Sequence, residues 1–162
     1  MDKLIDTQLF SRLNQRAQES PRLRSHHNLH PNLEDPVQRL CIALEPGTYV
    51  RPHKHPEDYK WEMMLILSGK VVLLLFDDNG SVTDRLELDE QGPIKGIELP
   101  PNTWHTLYPE NGAAVTIEIK QGPFTPMAPK NFASWAPEEG SDEAQRFLQW
   151  AKTANTSMRY SA

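Results

Sequence analysis

Residues 51–70 read RPHKHPEDYKWEMMLILSGK. Two histidines stand one residue apart, a glutamate follows, and an apolar run ends in glycine. On a strand His53 and His55 share a face, about 6.6 Å apart along the chain. Both imidazoles can then bend onto one ion with bonds of about 2.1 Å. The same parity expects Tyr49 and Arg51 to line one cavity with them. The turn PEDYK reverses the chain, and WEMMLIL carries Glu62 back on a neighbouring strand about 4.8 Å away. A fourth donor comes later, in PPNTWHTLYP: His105, just after a Pro-Asn turn.

A lone His-x-His on a strand is usually surface decoration. The facing Glu62 and the later His105 turn that reading into a metal site. His53, His55, Glu62 and His105 form a set of three nitrogens and one oxygen, suited to one divalent transition metal such as Fe, Mn, Ni or Zn. Four protein ligands leave open positions, which a Lewis acid or an oxygen-activating centre needs. Glu57, in the turn, is the rival carboxylate.

The rest of the chain alternates short strand patterns with turns. VQRLCIAL, TYVRPHKH, WEMMLILS, KVVLLLFD, RLELD, GIELP, HTLYP and AAVTIEIK are strand candidates, separated by EPG, HPED, SGK, DDNG, DEQGP, PPN and PENG. This predicts an all-β fold, an antiparallel sandwich or barrel. AVTIEIK splits cleanly: Val115, Ile117 and Ile119 on one side, Thr116, Glu118 and Lys120 on the other. VVLLLF has no polar alternation, so both its faces are expected to be covered, by the N-terminal helix or a second subunit.

Helices are expected at both ends. Asp6 or Thr7 caps residues 6–18, with Leu9, Leu13 and Ala17 on one face. Ser141 caps a final helix carrying an Ala144, Phe147, Leu148, Ala151 stripe. The chain divides into residues 1–35 (helix and a basic, histidine-containing loop), 36–122 (the barrel) and 123–162 (a Pro-rich loop and helix) of one domain. The stretch SPRLRSHHNLHPNLEDP is read as irregular, and TANTSMRYSA as frayed.

Composition sets bounds on function. A net charge of -5 argues against nucleic acid or an anionic membrane as partner. One cysteine, Cys41, allows no intramolecular disulfide, and it sits in an apolar run as a core residue. MDKLIDTQLF lacks the apolar core of a signal peptide, and no stretch approaches a membrane span of roughly 20 apolar residues. The expected location is cytoplasmic.

Gly47 followed by five residues and His-x-His resembles the first cupin motif, and Glu62 with Gly69 is similar to its second part. PPNTWH resembles the second cupin motif. Six residues separate His55 from Glu62 where the motif has three or four, and Asn102 replaces a glycine. Asn tolerates left-handed backbone angles, so the turn survives. A wider resemblance runs from about residue 4 to 150. SPRLRSHHNLH, VQRLCIALEPGTYVRPHKHP, KWE, WHTLYP, EIKQGPF and FASWAPEEG together resemble the WbuC family of cupin-fold proteins. These bacterial proteins are associated with O-antigen and other surface-polysaccharide gene clusters. The resemblance implies a cupin jelly-roll barrel, a metal site and, as in many small cupins, a homodimer.

From these readings we expect a metal-binding protein that takes a small polar or carbohydrate ligand: a sugar, sugar phosphate or nucleotide sugar. Isomerisation or epimerisation fits the gene-cluster setting, with Glu118 or an unbound histidine as the proton-moving base. An Fe(II)-dependent oxygenase, a non-catalytic regulatory cupin and a metal-free epimerase stay open as alternatives. Arg51, Lys60, Trp104, His30 and Tyr49 are the expected substrate-binding residues. For His26, His27 and His30, beside Arg22 and Arg24, three readings remain: a solvated basic loop, a segment over the barrel mouth facing a phosphate or carboxylate, or a second metal site.

Overall fold

A computed structural model of the chain describes residues 3–161. Its elements are α1 (Thr7–Glu19), β1 (Arg24–Asn28), β2 (Val37–Leu44), β3 (Glu62–Ser68), β4 (Lys70–Phe76), β5 (Val82–Asp89), β6 (Gly96–Leu99), β7 (Trp104–Pro109), β8 (Ala114–Gln121) and α2 (Asp142–Thr153). Two antiparallel sheets form, one in the order β1-β2-β8-β3-β6 and one in the order β5-β4-β7. They face each other as a cupin jelly roll.

Strand alternation explains the layering. Ile42, Leu44, Met64 and Ile66 of the large sheet meet Val71, Leu73, Leu88 and Leu107 of the small one, and these fill one end of the interior. The opposite face of the large sheet, with Cys41, Ala43, Val115 and Ile117, receives Leu9, Leu13 and Ala17 of α1. Asp6 caps α1 by accepting from the Leu9 N–H at 2.8 Å.

β4 is covered on both faces, but by a different helix from either expected cover. Val72, Leu74 and Phe76 pack against Phe147, Leu148 and Ala151 of α2. The tight turn from β3 to β4 requires Gly69. Its φ is +76°, and a Cβ there would stand 2.5 Å from the Ala113 carbonyl oxygen.

Three expectations are corrected. SPRLRSHHNLH is no loop: residues 24–28 are β1, paired with β2 from Arg24↔Leu44 to Asn28↔Leu40. Polar residues on both its faces hid the strand. TYVRPHKH is no strand: His53 makes only isolated bridges, to His105 and Phe132. Pro52 and Pro56 lack the N–H that a ladder needs. The C-terminal residues are not frayed. The Val82 N–H donates to Met158 O at 2.8 Å and the Ser157 N–H donates to Val82 O at 2.7 Å, and Tyr160 packs on Phe147 and Trp150.

Candidate metal centre and ligand cavity

Two backbone ties assemble the histidines. His53 N–H donates to His105 O at 3.1 Å and His105 N–H returns to His53 O at 3.0 Å. Asn102, left-handed at φ +64°, donates its N–H to His55 O at 2.8 Å. The loop 48–61 is therefore pinned to β7 and its preceding turn. β3 supplies Glu62 from the side.

Side-chain hydrogen bonds then aim the rings. His53 Nδ1 lies 3.0 Å from Arg51 O, and His105 Nδ1 lies 2.9 Å from Thr103 O. A carbonyl only accepts, so each Nδ1 carries the hydrogen and each Nε2 keeps its lone pair. Burial, with His105 alongside, pushes His53 well below the usual imidazole range, and burial likewise lowers His105. Both rings are neutral, the form that binds metal.

Two imidazole nitrogens stand close to the Glu62 carboxylate. Glu62 Oε2 lies 3.2 Å from His55 Nε2 and 3.6 Å from His105 Nε2. Two donors about 2.1 Å from a common ion stand about 3.0 Å apart at a right angle and about 3.4 Å apart at the tetrahedral angle. Ring centroids are separated by 4.4 Å (His53 to His105), 5.6 Å (His53 to His55) and 6.2 Å (His55 to His105). His55 Nε2 and Glu62 Oε2 are buried without a hydrogen-bond partner, and a cation between them would satisfy both. Among the described residues no group of three or more His, Cys, Asp or Glu side chains is drawn closely enough together to hold a metal ion; His55 and His105 are gathered on the Glu62 carboxylate, with the His53 ring beside them. The rival Glu57 stays out, 3.9 Å from Lys60.

A buried ion chain adjoins the cluster. Lys120 Nζ lies 3.1 Å from Glu118 Oε2 and 3.6 Å from Glu62 Oε1. Burial would raise the Glu62 pKa, but Lys120 and the neighbouring histidines outweigh it and hold the carboxyl well below the usual range. Glu118 goes the other way: burial raises it to about 7 against the pull of Lys120, with Glu62 adding to the rise.

A cavity of about 560 Å³ opens beside the cluster. Its wall includes Arg51, Lys60, His30 and Glu118 together with His53, His55 and His105. Two expected lining residues are absent from it. Tyr49 is a core residue: its ring stands 5.6 Å from Phe147 and its hydroxyl donates to Pro137 O at 2.8 Å. Without a strand at 48–55, parity does not carry from Arg51 to Tyr49. Trp104 follows strand alternation to the face opposite His105, where its Nε1 donates to Asp78 at 2.9 Å and Lys54 stacks 4.6 Å above it.

Sequence reasoning missed Lys120 and the clasp of Arg22 and Arg24 on Glu139, each 2.8 Å away. The signal for Lys120 was its shared face with Glu118. No local pattern links Arg22 and Arg24 to Glu139, which lies more than 100 residues downstream.

The family described as a domain of unknown function, DUF6016, matches residues 5–88, just over half of the chain. No curated protein matches it. Among solved structures, CapF with the inhibitor 3-isopropenyl-tropolone is 23% identical with a TM-score of 0.52, over 66% of this chain and 30% of that one. This chain thus spans under a third of CapF. A conserved protein of unknown function from Streptococcus pyogenes is 17% identical with a TM-score of 0.51, over 77% of this chain and 91% of that one. A cupin-like protein from Thermotoga maritima is 20% identical with a TM-score of 0.49, over 60% of this chain and 68% of that one. At such identities the likeness is one of fold. No helix among the described residues is long and apolar enough to cross a membrane.

Proposed function

This chain belongs to the DUF6016 family, and we propose that it is a metal-binding cupin acting on a sugar, sugar phosphate or nucleotide sugar as an isomerase or epimerase. The observation that carries the reading is the convergence of two histidines on one carboxylate, with Glu62 Oε2 3.2 Å from His55 Nε2 and 3.6 Å from His105 Nε2, and the His53 ring 4.4 Å from that of His105. The likeness of SPRLRSHHNLH, WHTLYP and FASWAPEEG to the WbuC family supports a role in surface-polysaccharide biosynthesis.

A divalent ion held there supplies Lewis-acid polarisation of a carbonyl or a hydroxyl pair. The protein's own residues do the rest. His53 and His105 present fixed lone pairs, because their Nδ1 hydrogens are committed to backbone carbonyls. Glu62 supplies the negative oxygen, and Lys120 holds its other oxygen in place. Glu118 sits on the same inner face of β8, on the cavity wall, and is the group that takes a proton from bound substrate and returns it. Lys120, 3.1 Å from Glu118, fixes that carboxylate's orientation.

Metal analysis of tag-free protein tests the first half: close to one divalent ion per chain is expected, and a fully folded wild type that takes up no metal sinks the reading. Turnover of sugar nucleotides without oxygen tests the second half. Oxygen consumption with Fe(II) in place of such turnover would move the site to the oxygenase class.

A further inference from the structure

Among the described residues Arg51 and His30 each leave a buried nitrogen without a hydrogen-bond partner on the cavity wall, and Lys60 makes only a long ion pair there. Arg51 Nε is buried and unpartnered. Its guanidinium is held in place by donation from Nη2 to Ala133 O at 3.0 Å and lies 5.5 Å over the Phe132 ring. The carboxylate nearest it, on exposed Glu138, is 3.9 Å away, too far for a hydrogen bond. His30 is 7% exposed, and its Nε2 is likewise buried without a partner. Lys60 is 8% exposed, with only Glu57 at 3.9 Å.

The other cations of the wall are taken. Arg22 and Arg24 grip Glu139, each at 2.8 Å, and Lys120 lies between Glu118 and Glu62. Arg51 and Lys60 keep only long ion pairs, to Glu138 and Glu57 at 3.9 Å each, in a chain of net charge -5. A buried donor without an acceptor costs about 1–3 kcal/mol, and more when charged. Such donors persist where a ligand supplies the oxygens.

Their placement flanks the metal cluster. Arg51 stands two residues before His53, which bonds its carbonyl. Lys60 stands two residues before Glu62 on the approach to β3. His30 is further off. The register runs Gln38↔Lys120 and Lys120↔Glu62, and Leu29 N–H continues the β1–β2 pairing to Arg39 O. His30 therefore lies about three strand spacings, or about 14 Å, from Glu62.

We propose that the cavity takes an acidic ligand, its carboxylate or phosphate held by Arg51 and Lys60 beside the metal cluster, with His30 Nε2 hydrogen-bonding its far end. Arginine's planar fork suits either oxyanion. The inference rests on the proposed function only in placing the reacting end of the ligand at the cluster.

Calorimetric titration of metal-loaded protein with inorganic phosphate, acetate, glucose 6-phosphate, glucuronate and glucose tests it. Phosphate against acetate, and glucose 6-phosphate against glucuronate, separate the two oxyanions. Acidic sugars should bind at least about tenfold more tightly than glucose, the size of one charge-assisted hydrogen bond. Arg51→Gln and Lys60→Gln should each remove about that factor for the acids and leave metal content unchanged. Glucose binding as tightly as both acidic sugars, no binding of any acid, or acid binding unaltered in both variants overturns the proposal. Phosphate bound through Arg51 with no sugar bound would keep the oxyanion site and discard the carbohydrate reading. Loss of metal from wild type would discard the metal reading instead. Lys60→Gln stands in if Arg51→Gln does not fold.

Discussion

The backbone N–H of Asn102 donates to the carbonyl of His55 at 2.8 Å, with Asn102 itself left-handed at φ +64°. Through this bond a surface turn sets the position of the loop that carries His53 and His55. Asn and Gly adopt such a φ readily, whereas a β-branched residue loses about 1–2 kcal/mol. Asn102→Gly should match wild type in urea denaturation and in metal titration. Asn102→Val should lose about 1–2 kcal/mol of stability and bind metal more weakly. Equal metal affinity in both variants would show that the turn does not set the loop.

The histidines separate by role. His53→Ala and His105→Ala each remove an Nε2 lone pair whose ring is fixed by a backbone carbonyl, and should cut bound metal from about one ion per chain to near zero. His30→Ala should keep the ion, since His30 lies about three strand spacings from Glu62. Elemental analysis after dialysis reads all three. Metal loss in His30→Ala would merge the two sites proposed as separate.

Much of this arrangement was legible in the sequence, for physical reasons that also mark where legibility stopped. The alternation in AVTIEIK gave two faces; the structure sends the apolar one outward to α1 and turns Glu118 and Lys120 inward. The alternation is what it would be in a strand with a solvated outer face, so polarity alone did not say which side was the cavity. That His53, His55 and His105 come near Glu62 was legible from the His-x-His spacing, the Glu62 strand and the turn before His105, each a local pattern on its own segment. β1 was not, because its inner residues Arg24, His26 and Asn28 are polar and line the cavity, so no apolar stripe betrays it. Tyr49 was misplaced because prolines at 52 and 56 break the strand on which its parity depended.

Lys120 is expected to be replaceable in part by the metal. Removing the positive member of a buried ion cluster leaves Glu62 and Glu118 facing each other, at a cost of about 3–5 kcal/mol. A divalent cation at Glu62 restores positive charge at the same carboxylate. Lys120→Met should therefore be strongly destabilised without metal, and its melting temperature should rise on zinc addition by more than that of wild type. An identical rise in both proteins would separate Lys120 from the metal cluster.

Phe147 pins α2 to the small sheet, 1% exposed and in contact with the Tyr49, Trp150 and Tyr160 rings. Phe147→Ala should cost about 3–5 kcal/mol. The exposed neighbour Gln145→Ala, one turn face away, should change stability by less than about 0.5 kcal/mol. A small loss at Phe147 would mean that α2 is not what covers Val72, Leu74 and Phe76.

The clasp between Glu139 and Arg22 and Arg24 should give a pH-dependent share of stability. Burial alone would raise the Glu139 pKa, but its bonds to Arg22 and Arg24 prevail and hold it below its ordinary value of 4.5. The unfolded carboxylate therefore takes up protons before the folded one. The contribution is complete above pH 4.5 and disappears as pH falls through the lower folded value. Because Glu139 is a third exposed, solvent screening limits the effect to about 1 kcal/mol. Urea denaturation of wild type and Glu139→Gln should differ by about that amount at pH 7, and the gap should close near pH 3. A gap that persists at low pH would assign the clasp to neutral hydrogen bonding, because the charge of Glu139 would then be gone while its contribution remained.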